Sequence, residues 1–143
     1  MWLDGLMPYL ATRDYRTGST YRAMPRPGTG TPARPVDGEI ATWRAPQADH
    51  PLRFHGKVQV RIGAGTYSSA ILFANVMRDF GFATLVGSGG WARQAQSGGV
   101  RSLALPHSAL AIWLPRFILD PPAGRAPGAL LVPQEAPEGV AGR

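Results

Sequence analysis

The stretch KVQVRIGAGTYSSAILFANVMRDFG, residues 57–81, changes its period in the middle. Val58, Val60 and Ile62 alternate with Gln59 and Arg61, the two-residue repeat of a strand with one face inward. Past Gly63-Ala64-Gly65 the spacing turns helical: Ala70, Phe73, Ala74, Met77 and Phe80 fall at i, i+3, i+4, i+7 and i+10. Gly81 stands where a helix C-terminus favours positive φ. The two glycines of the connecting turn permit backbone angles closed to other residues. Thr66, Tyr67, Ser68 and Ser69 are thereby placed at a helix N-terminus, whose unpaired N–H groups stabilise negative charge.

Outward from this stretch, Ala83–Val86 reads as a second strand, so residues 51–120 hold a β-α-β unit with a parallel pair and a right-handed crossover. Gly87-Ser88-Gly89-Gly90 is the loop at that strand's end. Val100–Leu105 and Ala109–Leu114 form a hairpin about Pro106-His107-Ser108, with Phe117–Leu119 extending its second strand. Upstream, residues 1–23 comprise a helix over Trp2–Leu10 and an extended segment. The helix carries Leu3, Leu6, Met7 and Leu10 on one side, a face that needs covering. Residues 24–50 are a Pro/Gly-rich insertion or loop, its turn cluster running from Arg26 to Pro32. Tyr15–Tyr21 and Gly38–Trp43 are short extended pieces. Residues 121–143 form a loop and flexible tail, frayed from 134. The class is α/β.

Composition restricts the function classes. The 143 residues carry a formal net charge of +6 and no cysteine, which removes disulfides and thiolate metal sites. Of the 15 basic residues only Lys57 is lysine. The arginines are scattered from Arg13 to Arg143 rather than clustered in the stripe that a nucleic-acid surface needs. Codon bias toward arginine explains them better, so no nucleic-acid partner is expected. No stretch has the ~18 apolar residues of a spanning helix, and the N-terminus lacks the basic flank of a signal peptide.

Three chemical readings compete at the turn. Gly63-x-Gly65-x-x-Ser68 echoes a dinucleotide-binding turn, but the third glycine and the following acidic residue are missing. Ser68 or Ser69 could be an ordinary helix cap. Either could instead be a nucleophile whose oxyanion is held by adjacent N–H groups, although no G-x-S-x-G pattern is present.

Thr66-Tyr67-Ser68-Ser69-Ala70 in its strand–turn–helix resembles the nucleophile segment of the carboxy-terminal processing (tail-specific) and tricorn-core serine peptidases. Further pieces resemble that family in the same order: Gly5–Leu10, Tyr15–Ser19, Asp79–Gly87, Gly98–Ser102, Leu105–Leu110 and Leu114–Phe117. The resemblance implies a fragment of a β-α-β spiral core of the ClpP/crotonase type with a C-terminal β-hairpin. It implies peptide-bond hydrolysis through an acyl-enzyme at Ser68, with the N–H of Ser69 as an oxyanion donor and no cofactor or metal. The substrate would be a peptide or unfolded protein, and the setting periplasmic or secreted.

The chain also departs from the pattern. Ile71 stands where the family has a glutamate, and Ser88 where it has an acidic residue. No lysine follows Ser68 to act as base. A missing N-terminal catalytic region or a partner chain would then supply the base and the second oxyanion donor. His50, His55 and His107 are the internal base candidates, each better suited to an exposed or capping role. Trp91 and Trp113 are expected to pack, with lining a substrate groove as the alternative. The competing class is a non-catalytic module that keeps the scaffold and binds peptide by strand addition.

Overall fold

A computed structural model describes residues 2–25 and 34–135. The turn cluster after Pro25 and the tail from residue 136 lie outside the described residues. The described chain is a small mixed α/β fold with two helices and three sheets. In chain order the elements are α1 (Trp2–Leu10), β1 (Thr20–Ala23), β2 (Val36–Glu39), β3 (Gln59–Ile62), α2 (Ser69–Asp79), β4 (Thr84–Gly87), β5 (Gln96–Gly98), β6 (Arg101–Ala104), β7 (Ala111–Leu114) and β8 (Phe117–Leu119).

The period change at residues 57–81 is realised as β3-α2-β4. β3 and β4 are parallel, with Val60 opposite Leu85 and Ile62 opposite Gly87. α2 lies between them in sequence and buries Ile71, Ala74, Val76 and Met77. Ala74 and Met77 belong to the expected face. Ala70 is exposed because the helix starts at the surface. Gly81 has φ of 67° and ends the helix as its position requires.

Two apolar clusters hold this unit. Ile62, Ile71, Ala74, Leu85 and Leu131 form one. Met7, Ala11, Tyr15, Val76, Met77 and Phe82 form the other, so α1 covers its apolar face against α2. Leu10 packs at the edge of this cluster, while Leu6 remains 42% exposed.

The second sheet has the order β2-β1-β8-β5 and is antiparallel throughout. Two of its members correct the sequence reading. β8 does not extend β7: Pro115 breaks the run, and β8 pairs with β1 and β5 instead. β5 (Gln-Ser-Gly) has no apolar alternation and is a strand only because β8 lies beside it. β2 falls inside the proline-rich stretch, and Arg22 of β1 meets Asp37 of β2 in register. β6 and β7 form the expected hairpin, and all eight of their residues are exposed.

The segment from 131 is also not frayed where it is described. Leu131 is 1% exposed. The N–H of Gln134 donates to Leu85 O (2.8 Å), and the N–H of Leu85 donates to Gln134 Oε1 (2.9 Å). Glu135 bridges Val86. This covers the outer edge of β4.

Candidate active site

The strand-to-helix connection is two consecutive turns. In the first, the N–H of Thr66 donates to Gly63 O (3.0 Å), and the N–H of Gly63 donates to Thr66 Oγ1 (2.9 Å). Thr66 is therefore a structural clasp. In the second, the N–H of Ala70 donates to Tyr67 O (3.1 Å). Ser68 holds φ 53°, ψ −118° in this turn, the angles of the first central residue in a type II′ turn, where glycine is normal.

This relocates the strain. Gly63 and Gly65 were expected to supply the left-handed angles, yet neither has positive φ. Ser68 carries the unusual conformation, in a region that costs a side-chain-bearing residue about 1–3 kcal/mol. Such outliers concentrate at functional sites, and a strained strand-to-helix serine is the geometry of a nucleophile elbow. Here it occurs without the glycine pattern that usually announces it.

The capping alternative fails for Ser68, whose side chain makes no cap hydrogen bond. Ser68 and Ser69 are both exposed. Among the described residues, neither hydroxyl has a hydrogen-bond partner, and the N–H groups of Ser68 and Ser69 have no acceptor. The first helical donor that is used belongs to Ala70. An oxygen anion formed at Ser68 would thus find the N–H of Ser69 unoccupied.

A groove of about 520 Å³ lies beside the turn, lined by Arg61, Ile62, Gly63, Gly65, Thr66, Gly87 and Ser88. It sits at the carboxyl ends of the two parallel strands, where ligands of parallel sheets bind. Its floor depends on Gly87: a Cβ there would lie 2.1 Å from Ile62 O. Gly90 approaches the same turn, with its Cβ position 3.1 Å from Gly63 O. The adjacent Trp91 is 91% exposed, Trp113 69% and Tyr67 80%, so neither tryptophan packs into the core as expected. Arg61 and Ser88 were not singled out as site residues by pattern; only the approach of the loop after β4 to the 63–65 turn brings them together, and Trp91 is not among the groove's lining residues.

The general base is not found among these residues. His50 packs edge-on against Tyr9 at 4.4 Å, and its Nδ1 accepts the N–H of Leu52. His55 and Lys57 precede β3, a strand length of roughly 13 Å from the turn. His107 sits in the β6–β7 turn with φ 57°. Ile71 is 2% exposed in the core, so the position where the resembling family has a glutamate is used here for packing. Among the described residues no group of three or more His, Cys, Asp or Glu could hold a metal ion, and no helix is long and apolar enough to cross a membrane.

No family model, curated protein or solved structure matches the chain.

Proposed function

We propose that this chain carries the nucleophile turn of a serine-type peptidase resembling the carboxy-terminal processing and tricorn-core enzymes, on a fragment of the β-α-β spiral of the ClpP/crotonase type. The carrying observation is Ser68: exposed, free of any cap bond and held at φ 53°. Its Oγ would attack the scissile carbonyl carbon and pass its proton to a base. The carbonyl oxygen, now an anion, would take the N–H of Ser69. Collapse would expel the amine, protonated by the same base, and water would release the acyl group from Ser68. The base would come from outside the described residues or from another chain, since a serine hydroxyl alone is a weak nucleophile. The substrate would be an extended peptide or unfolded protein in the groove lined by Ser88 and Gly65.

Labelling with a fluorophosphonate probe tests this reading. Modification of Ser68 that disappears in Ser68→Ala and persists in Ser69→Ala is expected. Labelling at another residue, or none under conditions where the chain is folded, would leave the second reading: a peptide-binding module on the same scaffold. The buried Ile71 and the absence of a base beside Ser68 among the described residues favour that module.

A further inference from the structure

We infer that the groove at the carboxyl ends of β3 and β4 selects a peptide carrying an acidic side chain, and that Arg61 reads it from an open strand edge. The inference rests on the reading that this turn faces a peptide, and it adds the chemistry of that peptide.

The open edge follows from the hydrogen-bond parity of β3. Thr84 is the Cα partner of Gln59, and its N–H donates to Val58 O (3.1 Å). In a parallel pair this directs the backbone groups of Val58, Val60 and Ile62 toward β4. The N–H and C=O groups of Gln59 and Arg61 therefore point the other way. Among the described residues nothing pairs with that side. The outer edge of β4, by contrast, is covered by Gln134 and Glu135. Among the described residues only this edge of the sheet is free to accept a strand, and it leads into the Gly63–Thr66 turn that precedes Ser68. An extended peptide added there gains main-chain hydrogen bonds, and its alternate side chains face the neighbours on β3.

Charge then selects the peptide. Of the seven residues lining the groove, Arg61 alone is ionisable. It is exposed and has no ion-pair or hydrogen-bond partner among the described residues. A guanidinium with its whole donor fork available matches a carboxylate in two parallel hydrogen bonds. The carboxylate is that of an acidic side chain within the peptide.

The test uses four fluorescein-labelled hexapeptides of alternating Ser and Val. Three are C-terminally amidated, with Glu, Gln or Lys at a central position. The fourth carries the Gln sequence with a free C-terminal carboxylate. Binding is read by anisotropy on the Ser68→Ala chain, so that nothing is turned over. The Glu peptide should bind about fivefold more tightly than the Gln peptide, and the Lys peptide most weakly. Adding Arg61→Gln should erase the gain without moving the melting temperature, and Arg61→Lys should keep part of it. A gain confined to the free-carboxylate peptide overturns the inference. Equal affinity across the peptides, or a preference that survives Arg61→Gln, overturns the inference. Ser68 labelling is independent of these outcomes. Labelled serine without acid preference sinks this inference alone, whereas acid preference on a chain that never labels sinks the peptidase reading alone.

Discussion

Replacing Ser68 with glycine should make the protein more stable while removing its reactive hydroxyl. Ser68 holds φ 53° and ψ −118°, a conformation that costs an L-residue about 1–3 kcal/mol and glycine almost nothing. Glycine returns part of this through the greater freedom of the unfolded chain, about 0.4–1 kcal/mol. Loss of a serine at the helix start adds nothing further, because its hydroxyl caps no N–H. The net gain is about 0.5–2 kcal/mol. For 143 residues the unfolding entropy is about 300 cal/mol/K, so the melting temperature should rise by about 2–7 °C. Ser68→Ala keeps the strained angle and should stay near the parent value. Calorimetry on the three proteins decides it. If Ser68→Gly melts at or below Ser68→Ala, the serine is not strained, and the argument from conformation to function loses its footing. Gly65→Ala is the mirror control: with no atom within 4 Å of the added Cβ, it should be neutral or slightly stabilising.

Gly87→Ala should be severe. Its Cβ would meet Ile62 O at 2.1 Å from a backbone with φ of 125°, so a loss of about 3 kcal/mol or more is expected, seen as a fall of roughly 10 °C in melting temperature. Leu131→Ala removes a side chain that is 1% exposed in the Ile62 cluster and should cost about 2–5 kcal/mol by urea titration; a cost under 1 kcal/mol would show that the 131 segment is not part of the core. Hydrogen bonding from Arg22 holds the Asp37 carboxyl below its ordinary range and raises the Arg22 guanidinium in turn. A depressed carboxylate contributes stability above its unfolded value, and that contribution is lost as pH falls through the folded value. The stability difference between the parent and Asp37→Asn should therefore be present at neutral pH and vanish in strong acid; a difference unchanged down to about pH 2 would contradict the pairing.

The sequence alone determined the β3-α2-β4 unit, its parallel pairing, the cap at Gly81 and the β6–β7 hairpin. Each is written in local periodicity or in a turn residue, and each is confirmed by neighbours within a few tens of residues. It also placed Ser68 and Ser69 at the helix entrance, because that position follows from where one period ends and the next begins. The tertiary structure decided the rest. β5 and β8 are strands because distant chain pairs with them, and Leu131 is core because its segment returns to β4; no local pattern encodes a partner tens of residues away. The strain fell on Ser68 rather than on the glycines because Thr66 closes the first turn and leaves the second to absorb the change in direction. Arg61, Gly87 and Ser88 share a groove only because the carboxyl ends of two parallel strands lie side by side.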